Sequence, residues 1–319
     1  MFDILLVTFP FFALVLCGYI AARRGLLPQV AIPGLNTFVL YFALPCMLYR
    51  FGASTPIAQL LNSATFFVYM TCALTMVAFT VAATLSQRVD WNNAAFGALV
   101  AAFPNTGFMG VPLLVALLGA QAAGPAIVTI VVDLVITSSL CIALSRLDAA
   151  DHAGAKVAVK NALKGMASNP MPWAILAGTV ASYFGFTPVK PVMQTIGLLA
   201  DAASPVALFT IGAVLARSQM TTTDATPWVD YVPVAMKKLL LHPLLVLLVG
   251  SAAMSLGVGL DRFSLTVIVL VAALPSASNV SLLAEKFGAN TGRIARIILV
   301  STVLAFFTFS LAVHWMTGR

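Results

Sequence analysis

The side chains able to do chemistry in this chain gather mainly at two matching places. Phe103-Pro104-Asn105-Thr106 follows Val100-Ala101-Ala102, and Leu274-Pro275-Ser276, with Ser278 and Asn279, follows Val271-Ala272-Ala273. Each copy sits inside a long apolar stretch. A proline there removes one backbone hydrogen bond and clashes with the turn before it. In a membrane, free backbone groups are tolerated only where protein or a water-filled cavity receives them. A half-helix restarting after each break offers N–H groups without partners and the positive end of its dipole. Asn105, Thr106, Ser276, Ser278 and Asn279 stand where N-capping side chains belong. Two such ends facing each other make an anion site that needs no lysine or arginine, and no span interior offers a clear buried cation. The expected ligand is a small organic anion, a carboxylate, held by Pro104, Asn105, Thr106, Pro275, Ser276, Ser278 and Asn279. The plainer alternative is a pair of ordinary proline kinks.

Two acids fall within apolar stretches, Asp133 and Asp201. Ionisable groups inside a membrane are functional candidates, and either is a candidate for a coupling proton or sodium. Against that, Thr129 or Thr137 would suffice to hold Asp133, and Asp201 would suit a helix start. Glu285 and Lys286 read as an interfacial pair, and His242 and His314 as structural. Cys17, Cys46, Cys72 and Cys141 lie in apolar spans without metal-ligand spacing and read as small hydrophobes. No HExxH or GxSxG pattern is present, so neither an enzyme nor a cofactor is expected.

These groups need a scaffold, and composition says which. The chain is 61% hydrophobic and 8% charged, against roughly 25% charged in soluble domains. No charge lies between Arg50 and Arg88 or between Asp90 and Asp133. Apolar stretches of about 20 residues span a bilayer. The spans expected are 3–22, 33–51, 63–86, 93–118, 124–145, 171–186, 193–216, 233–256, 264–285 and 294–316, the first a retained helix and not a cleaved signal. The fold class is therefore an all-α polytopic membrane protein with ten transmembrane helices. With the N-terminus outside, thirteen Lys and Arg fall in inner loops against four in outer loops, so both termini are expected on the outer side. Scattered over short loops, these charges suit no nucleic-acid partner.

The polar connection 147–169 divides residues 1–146 from 170–319, five helices each. An odd number per half makes the halves inverted repeats, and breaks at matching points mark a secondary transporter's binding site. Pro45 and Pro205 are expected to break the second and seventh helices. Gly178, Gly185, Gly197 and Gly212 are expected at close helix contacts.

The segment Phe103-Pro104-Asn105-Thr106-Gly107-Phe108-Met109-Gly110-Val111-Pro112-Leu113-Leu114 resembles the auxin efflux carrier family of permeases, which includes malonate transporters and plant auxin exporters. Asn36–Pro45, Leu199-Ala200-Asp201-Ala202, Ala273-Leu274-Pro275 and Ala284-Glu285-Lys286-Phe287 match it too, so the likeness covers nearly the whole chain. It implies a fold of the sodium/proton antiporter and bile-acid symporter type, with substrate at the crossing of helices 4 and 9, at Pro104, Asn105, Pro275 and Ser276. It implies a scaffold of helices 1, 2, 6 and 7, a moving transport domain working as an elevator, and a homodimer. Plant relatives carry a charged pair in helix 3. Residues 51–87 here carry none, so coupling falls to Asp133 or Asp201. The short central loop is that of bacterial members, and implies a small metabolite anion such as malonate carried across the bacterial inner membrane. The competing readings are a sodium-coupled bile-acid-type symporter and an anion-binding membrane sensor.

Overall fold

In hydrocarbon every backbone N–H and C=O must find a partner inside the protein, and a helix does this within one segment. The computed structural model, which describes residues 2–54, 62–147, 170–221 and 226–318, is accordingly built from helices, and its described residues include no strand longer than an isolated bridge. In chain order they are α1 (Phe2–Arg23), α2 (Gln29–Ser54), α3 (Ser63–Thr84), α4 (Trp91–Ala102), α5 (Thr106–Leu118), α6 (Ala120–Leu144), α7 (Pro170–Tyr183), α8 (Lys190–Thr221), α9 (Trp228–Ser255), α10 (Arg262–Ala273), α11 (Asn279–Lys286) and α12 (Thr291–Thr317). Among the described residues seven of these are long and apolar enough to cross a bilayer: α1, α2, α3, α6, α8, α9 and α12. The chain is thus a multi-pass membrane protein. The expected fourth and ninth spans are each split into two short helices. The loop bearing Lys156, Lys160 and Lys164 lies outside the described residues.

Short polar side chains start the helices that border the breaks. Asp90 accepts the Asn93 N–H at 2.8 Å to open α4, and Asp261 accepts the Ser264 N–H at 2.8 Å to open α10. Asn62 and Asn290 cap α3 and α12 in the same way. Both α4 and α10 have 12 residues, about 18 Å of rise, enough to carry the chain from one face to about the middle of a hydrocarbon layer. From Ala94 onward α4 is buried on every side, as expected of a helix apolar all round.

Four glycines set two helix pairs at backbone contact. A Cβ on Gly18 would overlap the Phe209 carbonyl oxygen, and one on Gly212 would overlap that of Val15, which closes α1 on α8. A Cβ on Gly178 would overlap the Tyr49 carbonyl oxygen, and one on Gly52 would sit 2.6 Å from that of Ile175, which closes α2 on α7. The two sets are copies: each residue of one lies at the same sequence offset from its counterpart in the other. Gly185 instead occupies a turn at φ +62°, and Gly197 faces open space. The expectation of close packing holds for Gly178 and Gly212 and fails for these two.

Pro45 and Pro205 do not break their helices. α8 runs through Pro205 without interruption. In α2 a π-helical turn, Val39–Ala43, precedes Pro45 and the helix continues to Ser54. The extra residue in that turn accommodates the ring.

Candidate functional site

At Phe103 α4 stops, because Pro104 has no N–H to continue it. The freed groups find partners on the other broken helix. The Asn105 N–H donates to the Pro275 carbonyl at 2.8 Å, and the Ala277 N–H donates to the Phe103 carbonyl at 2.9 Å. Pro104 and Ser276 thereby form an isolated antiparallel bridge between two extended crossing segments. The Ser276 N–H, which in a continuous helix would bond the Ala272 carbonyl, donates to the Ser301 hydroxyl of α12 at 3.2 Å. The structure therefore brings Pro104, Asn105, Pro275 and Ser276 together from positions far apart in sequence.

The polar side chains at this crossing do not cap. Asn105 precedes the π-helical turn Thr106–Gly110 that opens α5, and its carbonyl accepts both the Met109 and Gly110 N–H groups, while its side chain makes no capping bond. Ser278 likewise offers no side-chain cap to α11. The side chains expected to cap are therefore left spare. Asn105 Oδ1, Ser276 Oγ and Asn279 Oδ1 are left buried without a hydrogen-bond partner. Unpaired polar atoms at such depth cost about 1–3 kcal/mol each, a cost that a polar ligand reaching them would remove. Thr106 is fully buried, its hydroxyl 3.5 Å from the Pro104 carbonyl.

Two neighbouring cavities lie on the α2 and α8 side of α11. A cavity of about 340 Å3 lies between α2, α8 and α11, lined by Pro33, Asn36, Thr37, Val214, Arg217 and Glu285 among others. It shares Asn36 and Val214 with a space of about 10 Å3 against Thr210, Ser278 and Ser281, room for about one water. Asn36, Thr210 and Ser281 were not among the expected site residues. Thr210 is a single polar residue in an apolar run, Asn36 and Ser281 stand near other polar residues, and the packing of α2 and α8 against α11 is what brings the three to one space.

The two candidate acids sit in different surroundings. Asp133 is fully buried in a π-helical turn of α6, where the Tyr69 hydroxyl donates to its Oδ2 at 3.1 Å and the Thr137 hydroxyl to its Oδ1 at 3.3 Å. Thr129 turns instead to the Ala126 carbonyl. Asp201 is exposed and lies mid-helix in α8, paired with Arg50 of α2 at 2.7 Å. Glu285 lines the cavity, and Lys286 stands over the Phe287 ring at 6.0 Å.

The expectation of no buried cation is overturned. Lys238 and Arg293 are 0% and 3% exposed. Lys238 sits in a π-helical turn of α9, and its ammonium donates to the Ala272 carbonyl left free by the break in α10. His242 Nδ1 lies 3.4 Å from the same nitrogen, and the Tyr69 and His242 rings are 5.9 Å apart. Arg293 donates from Nε to the Asp230 carbonyl at 2.8 Å and from Nη1 to that of Asn93 at 2.7 Å. Counting Lys238 as a loop charge hid it, although the dipeptide Lys237-Lys238 falls inside the expected span 233–256.

A family model described as "Membrane transport protein" matches residues 4–313. The chain is similar to a "Putative malonate transporter" of Rhizobium meliloti (strain 1021), 31% identical over 301 residues, covering 93% of this chain and 90% of that protein. It is also similar to "Uncharacterized transporter YfdV" of Escherichia coli (strain K12), 27% identical over 309 residues, 93% and 92% covered. An "Uncharacterized transporter" of Methanothermobacter thermautotrophicus is 24% identical over 295 residues, with 92% and 91% covered. The chain is a membrane transporter and belongs to this membrane transport protein family, that of the auxin efflux carriers.

Proposed function

We propose that the protein is a secondary transporter of a small carboxylate, malonate or a close analogue, bound where the two broken helices cross. The observation that carries this reading is the crossing itself, which brings the two broken helices together around the buried Ser276 hydroxyl, a hydrogen-bond donor left without a partner. Around it, α5 and α11 start with their positive dipole ends directed at the same region. The side-chain amide of Asn105 and the hydroxyls of Ser276 and Ser278 supply hydrogen-bond donors for carboxylate oxygens. Thr106, Pro104 and Pro275 hold the main chain in place. The relative named for malonate points to the same substrate class.

The mechanism we infer is alternating access of the elevator kind. The glycine-locked pairs α1–α8 and α2–α7 form the scaffold, and the helices at the crossing move against it. Their copied glycine contacts and the shared pattern of α4 and α10 support two inverted halves, 1–146 and 170–319, and hence ten spans with both termini on the outer side of a bacterial inner membrane. The cavity between α2, α8 and α11 is the inner entrance, and closure at Asn36 leaves room for water only. The exposed scaffold face is where a second copy would pack in a homodimer. Asp133 is the candidate for a coupling proton. Asp201, already neutralised by Arg50, is the weaker candidate.

The test is uptake of labelled malonate into proteoliposomes holding wild type or Asn105→Ala. Uptake by the wild type, and at least a tenfold loss in the variant with unchanged thermal stability, is the expected outcome. Equal uptake by both proteins removes the crossing as the site. No uptake of malonate or of other mono- and dicarboxylates by the wild type removes the substrate class.

A further inference from the structure

Within broken membrane helices, free carbonyls at the C-terminal end of a half-helix are the groups that hold a transporter's sodium ion. In this protein such a carbonyl exists and is already taken. The break at Pro275 sends the Ser276 N–H to Ser301, and the orphaned Ala272 carbonyl accepts from Lys238. We propose that the Lys238 ammonium is a tethered cation, filling a site whose oxygen and nitrogen donors would otherwise bind a free monovalent cation, and that transport is therefore independent of sodium.

Several observations support this independently of one another. The side chain is fully buried, so the ammonium is not snorkelling to an interface. Its direct partners come from two helices, the Ala272 carbonyl of α10 and His242 Nδ1 of α9, and the His242 ring lies 5.9 Å from that of Tyr69 of α3, whose hydroxyl donates to the Asp133 carboxylate of α6. His242 Nε2 is buried and unpartnered, so this polar cluster is not saturated. Asp133 and Lys238 each occupy a π-helical turn, an irregularity frequent at functional sites. No direct ion pair joins the two charges among the described residues. Lys238 acts through the Ala272 carbonyl and Asp133 and is a positioning residue. A tethered charge travels with its helix and is released to neither side, so a sodium gradient has nothing to act on.

The claim about the transport cycle rests on the function proposed above. The claim about the site does not, and it is tested without substrate. Thermal unfolding midpoints of the purified protein are compared in choline chloride, sodium chloride and methylammonium chloride. The wild type is expected to show equal midpoints in choline and sodium. Lys238→Ala is expected to unfold at a lower temperature in choline and to recover by at least about 2 °C in sodium or methylammonium. A merely structural lysine would give the first effect without the second. Stabilisation of the wild type by sodium overturns the proposal, and so does a Lys238→Ala protein indifferent to both small cations. If Lys238→Ala does not fold, the double variant Lys238→Ala with Asp133→Asn decides. Removing both charges is expected to restore folding without cation sensitivity, because one buried charge alone is what cannot be tolerated. A double variant that remains unfolded overturns the proposal.

Discussion

Gly212 and Gly197 lie on the same helix, and the same substitution should act on them in opposite directions. A methyl group at Gly212 would overlap the Val15 carbonyl oxygen and stand 2.7 Å from the Tyr19 nitrogen, where ordinary contact begins at 3.4 Å. These are backbone atoms of α1 and cannot rotate away, so α1 and α8 must part by about 1 Å. A gap of about 0.5–1 Å forfeits roughly a quarter to a half of each atom pair's ~0.1–0.2 kcal/mol. Several tens of pairs meet along such a crossing, which gives about 1–3 kcal/mol, the usual range for overpacking. At Gly197 nothing lies within 4 Å of the added carbon. Only the gain in helix propensity then remains, up to about 1 kcal/mol in favour of alanine. Thermal unfolding in detergent, followed by tryptophan fluorescence or by loss of the monodisperse peak, reads the difference. Gly212→Ala should fall by several degrees while Gly197→Ala stays level or rises. Equal shifts for the two, or a neutral Gly212→Ala, would refute the backbone contact between α1 and α8.

Three further outcomes follow from contacts described above. Asp261→Ala should cost about 1 kcal/mol through loss of the α10 cap. Partial burial alone would push this carboxyl up, but bonds from the Ser264 hydroxyl and N–H outweigh it and hold the group below its ordinary value. The cap therefore contributes fully above the unfolded carboxyl pKa and is lost as pH falls through the lower folded one, so the difference between wild type and variant should begin to shrink only below about pH 4. Arg50→Ala should cost no more than about 1 kcal/mol, since both partners are solvent-accessible, at 39% and 69%. The swap of Arg50→Asp with Asp201→Arg should retain uptake; loss of uptake in the folded swap would make Asp201 a coupling group. Arg293→Ala should cost about 2–3 kcal/mol by freeing the carbonyls of Asp230 and Asn93. Arg293→Lys should recover little, because a single ammonium lacks the planar fork that reaches both. Chemical denaturation of the two variants measures the difference.

What could be read from the chain was whatever depends on local covalent fact. Pro104 and Pro275 have no N–H wherever they stand, so breaks there were foreseeable. Pro45 and Pro205 share that lack, yet their helices continue. At Pro104 and Pro275 another chain segment lies alongside to take the freed backbone groups, and adjacency of that kind is not written in local sequence. Lys238 was hidden for a related reason. A lysine next to another lysine looks like an interfacial charge, and its burial is made tolerable by a carbonyl 34 residues away. The side chains of Asn105 and Ser278 were assigned a capping task from their types alone. The π-helical turn after Asn105 starts from the Asn105 carbonyl and leaves its side chain spare.

That economy bears on how such a transporter can diversify. Main-chain bonds from Asn105 to Pro275 and from Ala277 to Phe103 hold the crossing, and these survive almost any change of side chain that spares the prolines. The lineage can therefore exchange Asn105, Ser276, Ser278 or Asn279 to suit a new cargo without rebuilding the frame that presents them. Relatives should differ most in cargo at these four positions, and least in architecture.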